Sequence, residues 1–280
     1  MTARATRPCC LTIAGSDSGG NAGVQADLRA FHAYGLHGCT AFAALTAQNP
    51  RGVSAIHPVP PDFVVAQLDA VLGVYAIKAL KTGMLADAAV IRAVAERLSV
   101  HPEIAKVIDP VMVATSGARL IADDALGALT GALLPLATVI TPNIPEAEAL
   151  TGMTLDSRDK VHEAAKRLNG MFGCAVLVKG GHAVGDYAVA EDTLYDGTSF
   201  FSATMPWVAD PVSTHGTGCS LAAALAAELA LGHDLRSAVL GAKRYVHQAI
   251  ARSYYVGEDC GVLGFADVSA DVPSSAGTVV

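Results

Sequence analysis

In Ser213-Thr214-His215-Gly216-Thr217-Gly218-Cys219-Ser220, a glycine-bearing turn runs directly into the alanine-rich segment Leu221–Leu231. Glycines let backbone N–H groups converge on open space, and a following helix adds the positive end of its dipole, so this junction suits an anion such as phosphate. A cysteine stands where that helix begins, and a thiol there is expected to shift toward thiolate. Phosphate binding and a proton acceptor are thus offered within four residues. A plainer reading is a tight turn in which Cys219 packs as a small hydrophobe. Two familiar phosphate motifs are missing. The chain has no Gly-x-x-x-x-Gly-Lys-Ser/Thr, and Leu221 falls where the third glycine of a dinucleotide fingerprint would stand.

Such a turn needs a scaffold to bring partners to it. Short apolar runs alternate with longer alanine-rich segments, the pattern of a parallel sheet covered on both faces. Strands are expected at Cys9–Ala14, Gly38–Ala44, Ala76–Thr82, Lys106–Ile108, Val139–Thr141, Ala175–Val178, Ala188–Tyr195 and Thr198–Ala203. Helices are expected at Gly23–Tyr34, Pro61–Leu72, Ala88–Leu98, Asp123–Leu134, Ile144–Leu150, Ser157–Gly170, Ser220–Leu231 and Leu235–Ala251. Asp62 and Ser157 suit helix N-termini. Asp196-Gly197 between two strand patterns predicts an antiparallel hairpin at the sheet edge.

Ligands of open parallel sheets gather at the carboxyl ends of the strands. Those ends carry glycine and polar residues: Gly15-Ser16-Asp17-Ser18-Gly19-Gly20-Asn21-Ala22-Gly23, with Gln25 and Asp27 just beyond; Thr46-Ala47-Gln48-Asn49; Lys81-Thr82-Gly83-Met84; Asp109-Pro110-Val111-Met112; Thr141-Pro142-Asn143-Ile144-Pro145-Glu146; and Lys179-Gly180-Gly181-His182. One shared cleft would need that distribution.

Length and composition agree with a large α/β unit. The 280 residues are 52% hydrophobic with no low-complexity linker, so one domain over 9–268 is expected, between loosely held segments at 1–8 and 269–280. A formal charge of −7 without a Lys/Arg cluster argues against nucleic acid or an anionic membrane as main partner. The six cysteines form no Cys-x-x-Cys pair, and no apolar stretch near the N-terminus is long enough for a signal core, so a reduced, cytoplasmic protein is expected. His32, His37, His162, His182 and His215 show no zinc spacing, and His182 and His215 read as loop-ordering groups.

Seven segments in order, Thr12–Asp27, Ala44–Gly52, Thr82–Leu85, Asp109–Gly117, Thr141–Glu146, Val178–His182 and Thr214–Cys219, resemble the hydroxymethylpyrimidine and phosphomethylpyrimidine kinases of thiamine biosynthesis. These lie within the ribokinase-like superfamily, and the resemblance spans about residues 11 to 250. It implies a three-layer α/β/α fold, with a mostly parallel central sheet, helices on both faces and an antiparallel edge hairpin. The implied cofactors are ATP and Mg²⁺, and the implied acceptor is a pyrimidine alcohol and then its phosphate. A homodimer is the implied assembly.

The resemblance also implies roles. Cys219, Lys179, Gly216 and Gly218 would be catalytic, with backbone N–H groups of 216–219 holding the transferring phosphoryl group. Gln48, Asp27, Gly15, Ala22, Met84 and Val111 would take the acceptor, the Gln48 carboxamide matching a ring nitrogen beside an amino group. Asn143, Lys179, Thr214, Gly216, Thr217 and Gly218 would hold the nucleotide. Glu146, Asn143 and Asp109 would order Mg²⁺, the first two through water. Locally, an N-cap asparagine with a first-turn glutamate explains the Asn143–Glu146 spacing equally well. Lys179 alone could be a strand-end lysine reaching solvent, and Met84 and Val111 could be core-filling. Cys219 is the expected base and Asp27 its alternative. A pyridoxal-type acceptor or a catalytically silent ATP-binding relative are the competing functions; Gln48 favours the pyrimidine. Two departures from the family pattern are Asn21, where glycine is common and asparagine is tolerable because it adopts left-handed angles more readily than most residues, and Thr115, where lysine is frequent and a phosphate contact would be expected.

Overall fold

A computed structural model describes residues 7–112, 123–180 and 189–265. The strands are β1 (Cys9–Gly15), β2 (His37–Asn49), β3 (Gly52–Pro58), β4 (Ile77–Thr82), β5 (Ala105–Ile108), β6 (Val139–Ile140), β7 (Ala175–Gly180), β8 (Val189–Tyr195), β9 (Phe200–Pro206), β10 (Tyr254–Tyr255) and β11 (Gly261–Val262). The helices are α1 (Gly23–Ala33), α2 (Pro61–Leu72), α3 (Ala88–Ser99), α4 (Asp123–Ala128), α5 (Ile144–Thr151), α6 (Arg158–Phe172), α7 (Thr217–Ala230) and α8 (Leu235–Ala251).

Nine strands form one sheet in the order β3-β2-β1-β4-β5-β6-β7-β8-β9. The centre, from β2 to β7, is parallel, and its strands are apolar on both faces because both are covered. On one side α2 to α6 pack through Val64, Leu68, Ile91, Val94, Ala147 and Leu168. On the other α1, α7 and α8 pack through Phe31, Leu221, Leu225, Val239 and Tyr245. Helix α7 is apolar nearly all round, as a helix enclosed between a sheet and other helices must be, and its alanines allow close approach.

The expected hairpin is present as β8 and β9, joined at Asp196-Gly197, with Gly197 at φ +96°. Asp196 caps the turn by accepting N–H bonds from Thr198 and Ser199. Ser157 caps α6 by accepting the N–H of Lys160. Asp62 does not cap α2; Pro60 is the N-cap, and Asp62 lies in the first turn and accepts the neighbouring N–H of Phe63.

Several elements differ from the sequence expectation, the short antiparallel pair β10–β11 among them. The second strand runs on to Asn49 and returns as β3, a second antiparallel edge. Most of β3 is exposed, so no apolar alternation marks it. The helix expected to run through Leu134 ends at Ala128, followed by a wide turn to Leu133 and a 3₁₀ turn at Leu134–Leu136. Helix α7 starts at Thr217 rather than Ser220, which places Cys219 inside its first turn. Ala188, His182, Thr115 and the 269–280 segment lie outside the described residues.

Candidate functional site

At the carboxyl ends of the parallel strands lies an open cleft. The chain reverses its winding direction at β1, with β2 on one side and β4 on the other, the place where open α/β sheets form their ligand crevice. Gly15, Ala22, Gln48, Met84, Asp109, Val111, Asn143, Glu146, Lys179, Gly216, Gly218 and Cys219 all line this cleft.

Asp17 shapes the glycine loop on one wall. Its buried carboxylate accepts the N–H groups of Gly19, Asn21 and Ala22, each at 2.8 Å, while its own N–H donates to Gln25 Oε1 at 2.8 Å. The left-handed angles fall on Gly20 (φ +81°) and Gly23 (φ +54°), and Asn21 is not among the positive-φ residues, so its fit needs no special backbone freedom. Gln48 stands on β2, not in a loop, and its backbone N–H and C=O both bond to Ser18 Oγ, which ties strand to loop. Thr46 Oγ1 lies 3.2 Å from Gln48 Oε1.

The anion turn forms the opposite wall. Gly216 is the N-cap of α7 at φ +89°, a conformation only glycine takes without strain. Ser220 closes the first helical bond to the Gly216 carbonyl at 3.0 Å. The Thr217 N–H turns back to the Thr214 carbonyl at 3.4 Å, whereas for Gly216, Gly218 and Cys219 no backbone acceptor is recorded among the described residues. Thr214 and Thr217 belong to this turn but do not line the cleft.

Lys179 ends β7 with Nζ 2.7 Å from Asp109 Oδ1 and 3.9 Å from Glu146 Oε2, and only 13% of its side chain is exposed. It is therefore not a solvent-directed strand-end lysine. Burial would lower its pKa, but Asp109 and Glu146 override that and hold it above its ordinary value. Thr141 Oγ1 donates to the same Asp109 oxygen at 3.0 Å.

Asn143 and Glu146 form a reciprocal capping box at α5: Asn143 Oδ1 accepts the Glu146 N–H and Glu146 Oε2 accepts the Asn143 N–H, both at 2.8 Å. The local capping reading is correct, and both residues line the cleft as well. Burial, with the nearby Asp109 charge adding to it and Lys179 opposing, raises the Glu146 pKa to about 7. Two carboxylates forced together beside one lysine are a donor set of hard oxygens that a hydrated divalent cation would relieve, so these residues fit Mg²⁺.

Asp27 is a correction. It does not line the cleft and has no solvent exposure; both its oxygens lie 3.0 Å from Lys81 Nζ, and Oδ2 accepts from Thr12 Oγ1 at 2.6 Å. Sealed from the cleft, Asp27 is placed neither to contact an acceptor there nor to serve as the alternative base. The expected shift of Cys219 toward thiolate is also corrected. Burial raises its pKa and outweighs the lowering by Lys81 and by the Gly23 N–H. Lys81, buried one residue before the end of β4, has no role assigned from the sequence; a lysine within the apolar stretch 79–82 is the signal.

The family model described as phosphomethylpyrimidine kinase matches residues 17–264. The chain belongs to the phosphomethylpyrimidine kinase family. Members of this family are phosphotransferases, and the ribokinase-like three-layer fold expected of them is the one found here. The hydroxymethylpyrimidine/phosphomethylpyrimidine kinase of Haemophilus influenzae is 46% identical over 254 residues, 90% of this chain and 94% of that protein. The thiamine biosynthesis bifunctional protein ThiED of Geobacter sulfurreducens is 46% identical over 266 residues, 95% of this chain, and the chain spans 54% of that protein's length. In solved structures, an ADP complex of Bacillus subtilis pyridoxal kinase superposes with a TM-score of 0.86 at 35% identity, covering 94% of this chain and 99% of that one. Among the described residues no helix is long and apolar enough to cross a membrane.

Proposed function

We propose that this phosphomethylpyrimidine kinase family member transfers the γ-phosphoryl group of ATP to the hydroxymethyl oxygen of 4-amino-5-hydroxymethyl-2-methylpyrimidine, and then a second phosphoryl group to the monophosphate. The observation that carries this reading is that Gln48, Cys219, Lys179 and the anion turn line one cleft. Phosphoryl transfer asks a protein mainly for alignment and for neutralisation of charge. The N–H groups of Gly216, Gly218 and Cys219 supply preorganised donors to the transferring oxygens, a type of contribution worth about 3–4 kcal/mol. Lys179 adds a fixed positive charge on the nucleotide phosphates, with Asn143, Thr214 and Thr217 bordering them.

Gln48 reads the aminopyrimidine edge, and Gly15, Ala22, Met84 and Val111 contact the ring. Cys219 takes the alcohol proton. Glu146, Asn143 and Asp109 would hold Mg²⁺ through its water shell, and the ion, when bound, neutralises phosphate charge. The same proposal includes one catalytic unit over 9–268 with flanking segments 1–8 and 269–280, a cytoplasmic setting and a homodimer.

The direct test is incubation with MgATP and the pyrimidine alcohol, its monophosphate or pyridoxal, following phosphorylated product. Phosphorylation of both pyrimidines is expected. Pyridoxal phosphorylation is the second reading, favoured by the fold likeness to a pyridoxal kinase; a product from pyridoxal alone would replace the first, and no ADP with any acceptor would point to a silent relative. Cys219→Ala is expected to cut kcat by about 10²–10⁴, the range of a general base. Full activity in that variant would remove Cys219 from the role.

A further inference from the structure

Val53 and Ile56 of the edge strand β3 both line the cleft, yet neither has a part in the scheme above. Among the described residues, neither packs into the apolar core on either face of the sheet. Val53 is half-buried and Ile56 is 41% exposed, so both keep apolar surface that the fold itself does not use.

The two are three positions apart, a spacing that sends side chains to opposite faces of a regular strand. A bulge brings them to the same face. Ala47 pairs with Ala55 and Gln48 with Val53, which leaves Ser54 as the extra residue, its Oγ donating to the Ala47 carbonyl at 3.0 Å. Val53 therefore stands directly opposite Gln48, and Ile56 directly opposite Thr46. Directly opposed residues share a face of the ladder, with Cβ atoms about 4.5–5.5 Å apart. Thr46, Gln48, Val53 and Ile56 thus form one patch, polar along β2 and apolar along β3, and all four line the cleft. Leu45, Ala47 and Ala55 fall on the other face of this two-stranded arm and do not line it.

Strand order decides what the patch can meet. Asp109, Glu146 and Lys179 stand at or just beyond the ends of β5, β6 and β7, and the anion turn enters from α7. β2 and β3 form the opposite edge of the sheet, where the patch itself carries no charge. A substrate whose hydroxyl lies at Cys219 and the anion turn presents the far end of its ring to that edge. In 4-amino-5-hydroxymethyl-2-methylpyrimidine the methyl-bearing carbon is directly across the ring from the carbon that carries the hydroxymethyl group. One ring nitrogen lies between the methyl-bearing and amino-bearing carbons. A carboxamide that pairs with this nitrogen and the amino group has the methyl group as its neighbour, and Val53 is the apolar side chain facing that position from the opposite strand.

We propose that Val53 is a specificity-determining residue whose side chain receives the methyl group of the acceptor ring, with Ile56 extending the same apolar wall. The inference rests on the pyrimidine reading of the proposed function and adds which substituent of the ring is selected. Gln48 selects the polar edge, and Val53 selects the apolar corner beside it. Apolar burial is non-directional, so this contact favours the methyl group without orienting the hydroxyl.

The test compares kcat/KM at saturating MgATP for the methylated pyrimidine alcohol and for its analogue with hydrogen in place of the methyl group. The native chain is expected to prefer the methylated compound by about tenfold or more, the usual effect of one such group in an apolar pocket. Val53→Ala is expected to bring that ratio to within about threefold, mainly by raising KM for the methylated compound, since the contact is equal in ground and transition states. Val53→Thr keeps the branched shape and strand preference but sets a hydroxyl against the methyl group, and it is expected to lower the ratio in the same direction. Leu45→Ala, on the other face of the arm, is expected to leave the ratio at its native value.

A native chain indifferent to the methyl group, a ratio unmoved in Val53→Ala, or an equal fall in Leu45→Ala overturns the proposal. Should Val53→Ala not fold, Val53→Thr decides by the same ratio. Phosphorylation of neither pyrimidine by the native chain sinks the functional reading and this inference with it, whereas turnover of both with an unmoved ratio removes the role of Val53 alone.

Discussion

Gly216 rests directly on the backbone carbonyl of Asn21: a Cβ built on Gly216 would stand 2.0 Å from that oxygen. The anion turn and the glycine loop are therefore one packed unit, and neither can shift without the other. The contact also explains why Gly216 alone in the turn is both left-handed and sterically closed.

Gly216→Ala is accordingly expected to lower kcat by about 10²–10³, the cost of losing oxyanion donors, and to raise KM for the acceptor because the loop carrying Ala22 must move. Gly218→Ala is the contrast. Its Cβ would meet only Lys179 Nζ at 3.6 Å, an ordinary contact, so a loss under about tenfold is expected, roughly 1.4 kcal/mol. Steady-state kinetics on both variants checks the pair, and equal losses would contradict the packing argument.

Gln48→Leu should discriminate between acceptors. Removing the carboxamide leaves an aminopyrimidine edge unpaired in the cleft, a cost of about 1–3 kcal/mol. The expected result is a fall in kcat/KM for the pyrimidine alcohol with kcat/KM for pyridoxal unchanged or raised. A parallel fall for both would assign Gln48 to loop anchoring, through the backbone bonds it makes to Ser18.

Glu146→Gln keeps the shape of the capping box, since a glutamine can also reach the N-cap N–H. It removes the negative charge beside Asp109. The Mg²⁺ concentration giving half-maximal rate is expected to rise about 10–100-fold, the usual effect of losing an outer partner of a metal, with little change in thermal stability. An unchanged Mg²⁺ dependence would restrict Glu146 to capping.

Lys243 of α8 and Asp192 of β8 form a buried pair at 2.8 Å, and Asp192 Oδ1 also accepts the N–H of Gly180, next to Lys179. Lys243→Met is expected to destabilise the chain by about 3–5 kcal/mol, because a buried carboxylate loses its partner. Lys243→Met/Asp192→Leu should recover most of that in urea unfolding, yet still lower kcat, since Gly180 loses its anchor and Lys179 its fixed position.

Much of the architecture was written locally. Apolar runs such as Leu11–Ala14 and Ala175–Val178, helix starts such as Ser157, and the Asp196-Gly197 turn carry short-range information, and each formed close to where it was expected. β3 escaped because an exposed edge strand has no apolar periodicity to show. The end of α4 escaped although Gly127 and Gly131 flank it, because isolated glycines are tolerated within a helical pattern.

The cleft divides in the same way. Glycines at 216 and 218, a lysine at 179 and a cysteine at 219 announce phosphate chemistry by type and spacing, and their strand-end positions follow from the βα alternation. What the sequence could not decide is which charges face one another. Asp27 looked like a cleft residue because it follows the glycine loop, but helix α1 turns it inward against Lys81, 54 positions away in the chain. Cys219 looked like a thiolate because it opens a helix, but the surrounding desolvation is a property of the packed interior and dominates the helix end. Spacing along the chain determines which groups are available; burial and long-range pairing, which exist only after the layers close, determine their charge.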